Sequence, residues 1–171
     1  MDAAPLLQAL QQQYEVRWIV TPAAAQILAK LPAPAVASGD HAQTYQAPLW
    51  AGLGTPIPHI ALRDWGDLLL IAPATANTIA KIANGIADNE LTTLFLAWDI
   101  DRKPVMLAPS MNAVMYRKPM MQKNLDTLRD CGVTVIEPLP KEDSPNGDSA
   151  PLTMPPVPLM VQRVDRLSAN S

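Results

Sequence analysis

The spacing of apolar positions changes repeatedly along the chain, and each change marks an element. Leu6, Leu7 and Leu10 share one stripe and predict a helix over Pro5–Gln13. The run YEVRWIVT, Tyr14–Thr21, reads as a strand that stops at Thr21-Pro22. Pro22–Leu31 follows as a helix, with proline in its first turn and Thr21 as N-cap. Ala35–Pro58 keeps no period and reads as irregular, and His59–Gly66 reads as a short helix or turn. Asp67–Pro73, DLLLIAP, is apolar and short, as a buried strand requires. Helical spacing returns over Thr75–Asn89, with a stop near Gly85, and again over Glu90–Ile100. Lys103–Ser110 reads as a strand, Pro119–Gly132 as a helix ended by its glycine, and Val133–Pro138 as the last strand.

Strands alternating with helices predict an α/β fold with a mostly parallel, doubly wound sheet. Ligands on such sheets bind in the loops beyond the strand C-terminal ends. Three loops there carry polar groups: Thr21-Pro22-Ala23, Ala72–Thr78 and Ala108–Asn112. The chain has 18 prolines, and the densest cluster, Pro138–Pro158, cannot be a long helix or a central strand. The chain therefore divides into an α/β domain over 1–138 and a proline-rich flap and tail over 139–171. The flap is an arm or lid, or a segment ordered by a partner or ligand.

Composition narrows the function classes. At 171 residues, 49% hydrophobic and 17% charged, the chain suits one globular core. A net charge of -3 with scattered Lys and Arg argues against nucleic acid, which calls for a basic face. No apolar run has the length of a signal peptide or membrane span, so the expected location is the cytoplasm. Cys131 is the only cysteine, which excludes an internal disulfide and a CxxC metal site, and its place before Gly132 reads as structural. His41 and His59 are the only histidines and lack metal-site spacing, so no metal is expected. Neither a phosphate-loop motif nor a GxGxxG turn is present.

Four segments carry candidate chemistry. In APATANT, small side chains let a flat ring or phosphate approach the backbone, and Thr75, Asn77 and Thr78 sit where a helix N-terminus favours an anion. An ordinary helix cap explains the same residues. In APSMN, Asn112 can hold a carboxylate and Met111 suits a ring face, although a turn residue and a core methionine also fit. His59 can accept a proton near neutral pH or serve as a structural hydrogen-bonder. Asn146-Gly147 in SPNGDS is a turn signal.

Taken jointly and in order, these runs resemble the homo-oligomeric flavin-containing cysteine decarboxylases. The family includes phosphopantothenoylcysteine decarboxylases of coenzyme A biosynthesis and epidermin-type decarboxylases of lantibiotic biosynthesis. The resemblance spans about Tyr14 to Pro138, and its densest stretches are ANTIAKIANGIADN and PSMNAVM. It implies a flavodoxin-like doubly wound sheet, an FMN cofactor, and a homotrimer or dodecamer sharing flavin sites between subunits. By it, Thr21, Thr75, Ala76, Asn77, Thr78 and Ser110 line the FMN site. His59 falls on the catalytic histidine, Asn112 on the asparagine that binds the substrate carboxylate, and Met111 in the same motif.

Two departures qualify what the resemblance implies. Family members open with a strand and a Gly/Ser-rich phosphate turn, whereas MDAAPLLQAL looks like the helix after it, so the first strand is expected to be missing. The coenzyme A enzymes carry a flap cysteine before Gly-Asp, where this chain has Asn146, which cannot cycle as a thiol. The epidermin-type enzymes also lack that cysteine, and their flap ends much like LTMP at Leu152–Pro155. The implied reaction is an oxidative decarboxylation that stops at an enethiol. Its substrate is a C-terminal peptide cysteine or phosphopantothenoylcysteine. The alternative is a non-catalytic flavin-binding regulatory or partner subunit.

Overall fold

The structure is a computed structural model describing residues 3–28, 44–45, 57–141 and 150–169. Helix α1 (Ala3–Gln11) buries Leu6 and Leu10. Strand β1 (Trp18–Ile19) leads into α2 (Pro22–Leu28), where the Ala24 amide donates to Thr21 Oγ1 at 3.3 Å, the expected cap. A short strand β2 (Thr44–Tyr45) runs parallel to β1 and corrects the irregular reading of that stretch. Most of the rest of the stretch lies outside the described residues. Helix α3 (Pro58–Trp65) precedes β3 (Leu69–Ala74), α4 (Ala76–Ala83) and α5 (Glu90–Ala97). Strand β4 (Val105–Pro109), the short β5 (Met111–Asn112), α6 (Ala113–Tyr116), α7 (Pro119–Asp130) and β6 (Thr134–Val135) follow. Finally come β7 (Leu139–Pro140), β8 (Pro151–Thr153) and α8 (Val157–Ser168).

The central parallel sheet has the order β3-β4-β6, with β4 buried along its whole length. Side chains alternate across it, as the pleat dictates. Ile71, Val105 and Leu107 enter one core with Ile79, Ile82, Leu94, Leu125 and Leu128 from α4, α5 and α7. Met106 and Ala108 enter the other, with Leu6 and Leu10 of α1 and Met160 and Val164 of α8. Each fully buried side chain of this size contributes about 1.5–3 kcal/mol of transfer free energy. Helices on both faces explain why the strands read as continuous apolar runs. The alternation of elements therefore gave the fold class correctly.

The Pro-rich segment closes on the domain as an antiparallel sheet, β5-β8-β7, with Met111 opposite Leu152 and Leu139 opposite Thr153. Helix α8 was not anticipated from the proline content. Pro158 stands in its first turn, where the missing amide costs nothing, and the helix runs on for 12 residues. Tyr14 reinforces the docking of this helix by donating to Asp165 at 2.6 Å.

Candidate active site

The site forms where β3 and β4 end together. Ala74 lies opposite Pro109, and the Ser110 amide donates to the Ala74 carbonyl at 2.8 Å. That bond fixes the β3–α4 loop beside the segment after β4. Thr75 caps α4: its hydroxyl accepts from the Thr78 amide at 3.3 Å and lies 3.2 Å from the Thr78 hydroxyl. Thr75 and Asn77 are exposed, whereas Ala74 is fully buried. The cap and the anion-favouring helix end are thus the same structure. Helix α4 stops where the glycine signal placed it, with Gly85 at φ 67.

The second run is held from the far side. Ser110 is buried and its hydroxyl donates to the Leu152 carbonyl at 3.2 Å. The Ala113 amide donates to the Ala150 carbonyl at 3.1 Å. Met111 is buried, and Asn112 is exposed at the head of α6, its Oδ1 accepting from the Val114 amide at 2.8 Å. The returning chain at β8 therefore clamps Ser110–Asn112 in place.

His59 stands in the first turn of α3, and its Nδ1 is buried with no hydrogen-bond partner among the described residues. Glu90, the first residue of α5, is 6% exposed, and neither carboxylate oxygen has a partner among the described residues. Burial holds the Glu90 carboxyl above the usual carboxylate range, and the charge of His59 pulls it back down. Sequence reasoning missed Glu90. A Glu in the first turn of a helix is an ordinary dipole-favoured surface choice, and its burial has no local signal.

The structure brings Thr75–Thr78 and Ser110–Asn112 together. Thr21 caps α2 beyond β1, and no hydrogen bond among the described residues joins it to either run. Asn146 lies outside the described residues. The residues present fit a flavin: small side chains, exposed hydroxyl and amide groups, and a helix N-terminus for an anionic tail. Among the described residues no group of His, Cys, Asp and Glu could hold a metal ion. None of the described helices is long and apolar enough to cross a membrane.

The flavoprotein family model matches residues 1–168. The chain belongs to the flavoprotein family. A phosphopantothenoylcysteine decarboxylase of Arabidopsis thaliana is 40% identical over 127 residues, 74% of this chain and 60% of that protein. The chain spans about half the length of the curated relatives it matches. A solved PPC decarboxylase variant complexed with pantothenoylaminoethenethiol is 34% identical at TM-score 0.81, covering 98% of this chain and 90% of that one. The FMN binding protein AtHal3 is 32% identical at TM-score 0.81, covering 98% and 89%. The family resemblance of the ANTIAKIANGIADN and PSMNAVM runs and the doubly wound fold are both borne out.

Proposed function

We propose that this flavoprotein binds FMN and oxidatively decarboxylates the cysteine of phosphopantothenoylcysteine, leaving an enethiol. The observation that carries the reading is the Ser110-to-Ala74 bond, which sets Thr75–Thr78 and Ser110–Asn112 side by side. The relatives' names support the substrate and cofactor classes. Thr21, Thr75, Ala76, Asn77, Thr78 and Ser110 hold the cofactor in this reading. When bound, FMN supplies a two-electron acceptor.

The protein's own groups do the rest. His59 would take the thiol proton, so that the sulfur's electron pair can form C=S as hydride leaves the adjacent carbon, and that C=S then accepts the electron pair freed when CO2 departs. Asn112 has its Oδ1 committed to the Val114 amide, so it meets the substrate carboxylate through its Nδ2 donor. Met111, buried beneath, forms part of the wall. In this reading the segment joining β7 to β8 acts as a flap over the substrate and excludes water, while α8 stays packed in the second core. Asn146 in that flap supplies no thiol, so the product stays oxidised.

The same reading places the protein in the cytoplasm as a homotrimer or a multiple of it. Ile79 and Ile82 of the motif helix turn into their own core, while Ile86, Leu96, Met115 and Met120 stay exposed and support an apolar contact between copies. Mass spectrometry of the product is the test. The expected change is loss of CO2 together with two hydrogens. Loss of CO2 alone would overturn the role given to Asn146, and no conversion by flavin-loaded protein would overturn the enzyme itself.

A further inference from the structure

Three polar side chains on the packed helices α3 and α5, Glu90 buried and His59 and Thr93 half-buried, have buried atoms with no hydrogen-bond partner among the described residues: His59 at Nδ1, Glu90 at both carboxylate oxygens and Thr93 at Oγ1. Buried groups without partners are uncommon because each loses its water without replacement. A buried carboxylate is the most costly of the three. The architecture of α5 gives no reason for it. Asn89 and Thr92 already form a complete capping box at that helix end, so Glu90 is not needed as a cap. A leucine or methionine there would pack against α3 without charge. Glu90 is therefore a local expense of the kind found next to functional groups. His59 stands on α3, the helix that packs against α5, and its buried Nδ1 lacks a partner among the described residues as the Glu90 oxygens do.

We infer that Glu90 is the positioning residue for His59: its carboxylate faces the buried Nδ1 side of the imidazole, keeps the ring proton on Nδ1, and leaves Nε2 to accept the proton of the substrate. The inference rests on the reading of His59 as the base. The pair is not hydrogen-bonded as it stands, so the carboxylate acts through space, on the Nδ1–H dipole of the neutral ring and on the full charge once the ring is protonated. In the proton transfer the S–H bond breaks, the sulfur keeps the electron pair, and Nε2 gains the proton. The imidazolium then has an ionised carboxylate opposite it, while Glu90 itself exchanges no proton. Thr93, one turn along α5, is a further polar group beside the pair.

The test reads the ring directly. Nitrogen-15 NMR of the imidazole reports which ring nitrogen carries the proton. The signals are simple to assign, because the chain has two histidines and His59→Asn removes one set. The wild type is expected in the Nδ1–H form, and Glu90→Leu should shift His59 toward Nε2–H. Glu90→Leu should also melt at a higher temperature, since it deletes a buried orphan charge, so lost activity cannot be blamed on misfolding. Turnover of phosphopantothenoylcysteine should fall by at least about tenfold, with KM unchanged, and by less than the ~10²–10⁴ of losing the base. Glu90→Gln keeps the shape without the charge and should fall as far. An unmoved His59 spectrum in Glu90→Leu overturns the pairing whatever the activity. A shifted spectrum with undiminished turnover overturns the positioning role. A shifted spectrum in a protein that converts no cysteine substrate supports the pairing and overturns the assignment of His59 as base.

Discussion

His59 and Asn112 are held in different ways, and that difference governs what their replacement should do. His59 has an orphaned ring nitrogen and contributes little to the stability of α3, so His59→Asn should keep the fold and any bound flavin. Its turnover should fall by about 10²–10⁴-fold. Asn112→Asp retains the oxygen that accepts the Val114 amide and, on the proposed function, would set a second carboxylate against that of the substrate. The expected result is a comparable loss of turnover with the flavin spectrum unchanged. Tyr116 offers a test unrelated to catalysis. Burial and its bond to Glu137 push its phenol up to about 12 from 10.0. A raised acid stabilises the fold fully below its unfolded value and loses that contribution as pH climbs through the folded one. Wild type should therefore lose stability relative to Tyr116→Phe between pH 10 and about 12, and parallel melting curves there would contradict the assignment. Residues whose job is local were legible in the sequence: Thr21 and Thr75 cap the helices that follow them. Glu90 was not legible, because its meaning comes from a histidine on a different helix.

Helices and strands were legible where one periodicity decided them. Strand β3, the stop of α4 near Gly85 and the end of α7 at Gly132 were all placed to within a few residues, since each depends on an apolar run or a positive φ. Short pieces were not legible: β2 has two residues, and β5 exists only because β8 returns to it. Helix α8 was hidden by the prolines before it. One packing detail between elements gives a sharp prediction. Gly66 closes α3, and a Cβ there would lie 2.9 Å from the Trp98 ring. That ring cannot easily retreat, because its indole nitrogen donates to the Lys103 carbonyl at 3.0 Å and it is 7% exposed. Gly66→Ala should cost about 1–3 kcal/mol in a urea unfolding experiment. A change near zero would mean that Trp98 has room the structure does not show.

For the molecule as a whole, alternating elements were enough to imply a parallel sheet with helices on both faces, because few other layouts bury such strands. The division of the strands among the described residues into three sheets was not legible, since it rests on pairings between residues far apart in sequence. Assembly is the next property of the whole chain to test. Met120 is 80% exposed and Leu96 61%, apolar side chains that a contact between copies would cover. Light scattering should give the mass of a trimer or its multiple, and a monodisperse monomer would remove the shared flavin site from the account. The most direct test of the central claim is the visible spectrum of protein loaded with FMN, passed through gel filtration, and mixed without oxygen with phosphopantothenoylcysteine. The account predicts a flavin band near ~450 nm that travels with the protein. That band should bleach on mixing and stay bleached, because without a flap thiol the reduced flavin has no route to pass its electrons on to the enethiol. A colourless protein after filtration, or a bound flavin whose band no cysteine substrate changes, would contradict it.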